Sequence, residues 1–145
     1  MHLRVLHTPG HARGHLAFFD EQRGTLVSGD LLTAFGTVVI DPPEGDMDEY
    51  LASLEQMQAL HPRVLLPGHG AAILDAEAAL AATHAHRLAR ERKVLDAWRA
   101  GLREPEAMID VVYDDTPDAA RPLAARQIGA HLERLERMGR LGSFE

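Results

Sequence analysis

The chain has 145 residues, a formal net charge of −7, 46% hydrophobic and 26% charged residues, and no cysteine. That mixture fits one globular domain or two small ones and excludes wholesale disorder. The missing cysteines exclude disulfides, thiolate nucleophiles and Cys-based zinc sites. No apolar run approaches the roughly 20 residues needed to span a bilayer, and the apolar part of residues 1–7 is too short for a secretory leader. The expectation is a cytoplasmic protein with no membrane partner.

Charge is divided along the chain. Through Ala82 there are four basic residues against eleven acidic ones; from Thr83 onward there are eleven of each. The acidic first part suits a cation site and disfavours phosphate backbones. The second part is neutral but Arg-rich. Two units are expected, residues 1–82 and 83–145.

Leu3 to His7 reads as a strand, followed by the turn Thr8-Pro9-Gly10. His15 to Phe19 reads as a second strand, and Asp20 to Gly24 as the polar, Gly-ended connection of a hairpin. Thr25 to Val27 is the returning strand, ending at Ser28-Gly29-Asp30. Thr37-Val38-Val39-Ile40 predicts another short strand. Asp46 is a good N-cap, with Asp48 and Glu49 in the first turn where the helix dipole favours negative charge. Met47, Tyr50, Leu51, Leu54, Met57 and Leu60 then fall on one face of a helix that ends near His61-Pro62. Arg63 to Leu66 follows as a strand. The order strand, helix, strand argues for an α/β layer.

Asp75 caps a longer helix predicted to run to about Ala100 and closed by Gly101. Strand signals then nearly stop. Pro105 opens a helix over Met108, Ile109, Val112 and Tyr113. Thr116-Pro117 marks another turn, and Pro122 begins a last helix through Leu123, Ile128, Leu132, Leu135 and Met138. The tail from Arg140 to Glu145 predicts the start of a short strand. Helices in this order, ending in a strand, are similar to a winged helix, a unit that binds DNA through its last helix. That helix offers Arg126, Arg134 and Arg137 but also Glu133 and Glu136. Packing or dimerisation is the favoured role, nucleic-acid contact the lesser one.

Three motifs carry the chemistry: His7-Thr8-Pro9-Gly10-His11, Ser28-Gly29-Asp30 and Pro67-Gly68-His69-Gly70. Each puts a metal-capable side chain just after a predicted strand, where Gly and Pro let the backbone turn away. Imidazole nitrogen and carboxylate oxygen both suit zinc. His11 and Asp30 lie 19 residues apart and Asp30 and His69 lie 39 apart. Any shared site therefore needs separate elements to converge. His15 is expected to support a metal-bound imidazole from behind. His2, His61 and His131 read as surface groups, and His7 as a strand end. Asp20 and Asp41 read as turn formers.

These motifs, in this order and with Tyr50 and Ser53-Leu54 on the helix between them, closely resemble the later motifs of the metallo-β-lactamase-fold hydrolases. The stretch from about Thr83 to Gly142 resembles the winged-helix extension of the β-lactamase-like protein 2 subgroup. The resemblance implies a partial αββα sandwich followed by a small all-α winged-helix-like domain. It also implies a dinuclear centre, zinc or another divalent ion such as iron or manganese. In that centre His11 completes one metal site, His69 the other, and Asp30 bridges both. Metal charge lowers the pKa of a bound water from about 15.7 toward about 7, and the same ions stabilise the developing oxyanion.

One family feature is missing. The earlier H-x-H-x-D-H motif, which supplies the remaining ligands, has no counterpart in these residues. His84-Ala85-His86-Arg87 lacks the Asp-His and sits in a predicted helix, where i and i+2 do not share a face. It reads as helix-surface or interdomain polarity. The chain reads as the second half of the fold plus its extension, from a late-starting coding frame or a fragment.

With two ligands per metal, one His and the shared Asp30, where zinc sites use three or four, the expectation is a weak or inactive hydrolase unless another copy or chain supplies the rest. A half-sandwich also exposes a sheet to self-association. The substrate class expected is a small-molecule ester or thioester. RNA cleavage by the same fold comes next, and a non-catalytic helical binding module with a vestigial sheet is the alternative of a different class.

Overall fold

The computed structural model describes residues 2–115 and 121–142. The expected turn at Thr116-Pro117 and the last three residues of the expected tail strand lie outside the described residues. The elements run β1 (Leu3–His7), β2 (Leu16–Asp20), β3 (Thr25–Thr33), α1 (Met47–Gln58), β4 (Val64–His69), α2 (Ala76–Arg99), α3 (Pro105–Val112) and α4 (Arg121–Arg137). The sheet order is β1-β2-β3-β4. The first two pairings are antiparallel, and β3 pairs β4 in parallel around the α1 crossover. This is the α/β layer and helical extension read from the sequence.

The sheet has one dry face and one wet face. Leu6 and Ala17, and Phe19, Leu26 and Leu65, are buried partners across the strands and pack with Tyr50, Leu51, Leu54 and Met57 of α1. On the opposite face Val5, Phe18, Val27 and Leu66 form a continuous cross-strand row. Leu3, Val5, Leu16, Val27 and Leu66 are all exposed there, Val5 to 57%.

α1 starts where the sequence places it. The Asp46 carboxylate accepts from the backbone N–H groups of Asp48 and Glu49. Asp20 is the turn former expected, accepting from the N–H groups of Gln22 and Arg23. α2 runs unbroken past residue 82, with Ala76 and Leu80 in the sheet-side core and Val94, Leu95 and Ala97 in a second core with Met108, Val112, Ile128 and Leu135.

Four sequence expectations fail. The described part of the expected tail strand, residues 140–142, forms none. β3 runs on past Val27 through Asp30 to Thr33. Residues 37–40 form no strand. Val38 and Ile40 are buried, but the carbonyls of Val38 and Val39 accept from the side chains of Arg87 and His11 rather than from a neighbouring strand. His131 is not a surface group: it is 0% exposed. It faces Glu91 of α2, which also takes a hydrogen bond from Arg134. Charged residues at helical spacing inside an apolar stripe hide such a seam from the sequence.

That seam predicts a pH dependence. Burial pulls the His131 imidazole below its ordinary range, and the Arg87 charge pulls the same way. Burial would raise Glu91, but hydrogen bonds from His131 and Arg134 leave it below the usual carboxylate range. A histidine depressed in the folded state contributes stability that is complete above its unfolded pKa of about 6.5 and is lost as pH falls, because only the unfolded chain takes up the proton. The limiting slope is about 1.4 kcal/mol per pH unit per such group. Urea midpoints are therefore expected to fall between pH 7.5 and 5.5, and to fall less steeply in His131→Gln. An unchanged slope in the variant would remove His131 from this account.

Candidate metal centre

Asp30 lies inside β3 rather than just after a strand as expected, His69 is the last residue of β4, and the ladder between these strands is irregular. The β3–β4 register slips between Val27 and Gly29 and again between Gly29 and Thr33. Bulges of this kind re-aim side chains out of a ladder. The Asp30 carboxylate emerges from this stretch and meets His69 at 3.3 Å (Oδ1 to Nε2). Their side chains are 49% and 75% exposed. An ion pair that open to water contributes little to stability, so the pair is not explained as a structural clamp. Gly68 makes the approach feasible: a Cβ there would lie 2.3 Å from Asp30 Oδ1 and 3.0 Å from the Gly29 carbonyl carbon.

His11 arrives from a different direction. Gly10 has φ +123°, and a Cβ on it would fall 2.3 Å from the backbone of Tyr50. Only glycine lets the turn lie directly on α1. The turn is fastened by Asp46 N–H to the Gly10 carbonyl at 2.9 Å and Ser53 Oγ to the Pro9 carbonyl at 2.7 Å. His11 Nδ1 lies 2.8 Å from the Val39 carbonyl. A carbonyl only accepts, so Nδ1 carries a proton, and in the neutral ring the lone pair is on Nε2. Metal-ligating histidines are commonly oriented by such a bond.

His15 does not support a donor imidazole, the role expected of it, but lies behind the Asp30 backbone instead. Its Nε2 accepts from the Asp30 backbone N–H at 3.1 Å, so its Nδ1 donates to Thr8 Oγ1 at 2.9 Å. Both nitrogens are engaged, which bars the ring from ligating while tying the Asp30 bulge to the Thr8 turn. Burial lowers the His15 pKa, with the nearby His11 adding to the effect.

The structure thus joins Asp30 to His69, with His15 behind Asp30. It does not bring His11 into one cluster with them. Among the described residues no group of three or more His, Asp or Glu side chains could hold a metal ion. The donor types fit a zinc- or iron-type ion; the number that converge is too small for a complete site.

Of the other residues, His7 bonds the Arg13 carbonyl, His61 pairs with Glu77, and His84 pairs with Glu55 across α1 and α2. Asp41 pairs with Arg126. Missed in the sequence were the Val39 carbonyl, a backbone group with no residue-type signature, and Arg87, which holds the neighbouring carbonyl.

Residues 2–69 match the metallo-beta-lactamase superfamily, and residues 105–142 match the beta-lactamase associated winged helix domain. The chain belongs to the metallo-beta-lactamase superfamily and carries that associated winged-helix domain. It is 35% identical over 142 residues to a beta-lactamase-like protein 2 homolog of Drosophila melanogaster, an alignment covering 96% of this chain and 47% of that one. A metallo-beta-lactamase family protein from Thermus thermophilus superposes with a TM-score of 0.80 at 30% identity, over 94% of this chain and 44% of that one. A thioesterase of Emericella nidulans is 39% identical over 92 residues, 63% of this chain and 26% of its own. The chain spans about half the length of the beta-lactamase-like relatives it matches.

Replacing Gly68 with Ala is expected to push Asp30 off His69 and to destabilise the fold by about 1–3 kcal/mol, the usual cost of overpacking. Urea denaturation checks the energy. A crystal structure with the 3.3 Å contact intact would contradict the cradle.

Proposed function

We propose that this chain contributes part of a divalent-metal site to an ester- or thioester-type hydrolase. His11, Asp30 and His69 are the donors. The observation that carries the reading is the exposed contact between Asp30 of β3 and His69 at the end of the parallel strand β4, together with a His11 whose Nδ1 is taken by the Val39 carbonyl. Superfamily members generally bind zinc or iron. A bound ion would supply an activated water and polarise the carbonyl under attack. The chain's own residues do the holding: Thr8 and His15 fix the Asp30 backbone, Val39 fixes the His11 ring, and Gly68 admits the carboxylate. The thioesterase among the relatives favours a thioester over other acyl substrates.

With so few donors converging, the 145-residue chain alone is a weak or inactive catalyst, in the cytoplasm by our reading. The arginines that α4 offers to a nucleic acid are engaged elsewhere. Arg126 pairs with Asp41, Arg134 with Glu91 and Asp48, and Arg137 with Asp46 and Asp48. This favours packing over phosphate contact. The exposed apolar row of the sheet favours self-association, readable as a concentration-dependent mass in sedimentation equilibrium.

Calorimetry with Zn2+ is expected to show weak binding, reduced at least about tenfold by Asp30→Asn or His69→Ala, since each removes one of very few ligands. Affinity unchanged in both variants would favour the non-catalytic binding module. Robust, chelator-sensitive thioester turnover by the purified chain would overturn its assignment as weak or inactive.

A further inference from the structure

We propose that Arg87 is a positioning residue for His11, acting through the backbone of Val38 and Val39. Arg87 is 1% exposed. Its Nη2 donates to the Val38 carbonyl and its Nη1 to Gln127 Oε1 of α4, while Nε has no partner. Its guanidinium lies 5.1 Å from the centre of the Tyr50 ring. Both acceptors are uncharged, and burying a cation on neutral partners is costly. An apolar side chain of similar volume would fill the space at lower cost, so core filling alone does not explain this arginine.

What it holds explains it better. Residues 37–40 have no ladder to fix them. A cavity of about 360 Å³, lined by Thr37, Val39, His86 and Gln127 among others, lies against the segment, so packing does not clamp that side. The Val38 carbonyl points to Arg87 and the next one, Val39, points to His11 Nδ1. Adjacent peptide planes share a Cα, so releasing the first carbonyl removes one of the two anchors of this stretch and loosens the second. Losing the Val39 acceptor removes what keeps the proton on Nδ1 of His11. Arg87 thereby couples α2, and through Gln127 also α4, to the imidazole that faces the metal. The consequence for metal binding rests on the donor role proposed for His11; the geometric coupling does not.

The test is the tautomer of His11 in the metal-free full chain at pH 8, read by long-range 1H–15N correlation, together with Co2+ titration. Wild type is expected to show the Nδ1–H form. Arg87→Met is expected to give mixed tautomers and Co2+ affinity lower by up to about tenfold, no more than the loss of a group bonded directly to a ligand would cost. Arg90→Met is the control, because Arg90 is also buried on α2 but bonds Val112 and Asp115. It is expected to leave the His11 tautomer unchanged. An unchanged tautomer in Arg87→Met, or an equal change in Arg90→Met, overturns the proposal. If Arg87→Met fails to fold, Arg87→Lys and Gln127→Met replace it, with a smaller shift in the same direction expected and no shift overturning it. A tautomer shift in a chain that binds no Co2+ supports the positioning role and removes the metal-donor reading instead.

Discussion

A single buried junction organises the molecule: the stacking of Arg87 on Tyr50. Tyr50 reaches four ways from one position on α1. Its backbone supports the Gly10 turn, its ring lies under the guanidinium, its hydroxyl donates to the Leu31 carbonyl at 2.8 Å, and its side chain fills the sheet-side core. Arg87 continues from there to the 37–40 segment and to α4. The turn before His11, the carbonyl that orients His11 and the last helix therefore share one support. Disturbing it reaches the site and the seam between α2 and α4 together, because polar groups this deep have no water to turn to.

Around that junction the two units are bound by opposite charge. The acidic first turn of α1 faces Arg134 and Arg137, while within the second unit buried Glu91 of α2 also takes Arg134. Asp46 thus serves as helix cap and as ion-pair partner, while its own N–H fastens Gly10. The uneven charge along the sequence is resolved in space. Acid of the first unit meets base of the second, and the arginines that make α4 look like a nucleic-acid reader are neutralised from within.

Much of this was legible from residues alone. The α1 cap and stripe, the Pro105 and Gly101 boundaries, and the strand–helix–strand order follow from local rules that tertiary structure did not override. Asp30 and His69 were legible as candidate donors, but their adjacency came only from the family resemblance, and Asp30 lies inside β3 rather than after it. What stayed hidden was non-local. Val38-Val39-Ile40 has strand composition, yet two side chains from elsewhere take its carbonyls. His131 and Arg87 are polar residues whose burial depends on partners about 40 positions away. Charged residues on the inner face of α2 broke the apolar pattern that would have announced that face.

The wet face of the sheet has a thermodynamic consequence. Val5, Phe18, Val27 and Leu66 offer a dry contact to any complementary surface, and β1 at the sheet edge leaves backbone groups unpaired. Whatever covers that face binds the native chain and not the unfolded one. Mass action then makes the melting temperature rise with the concentration of the covering surface. With such a surface present, conformational stability would be a property of the solution as well as of the fold.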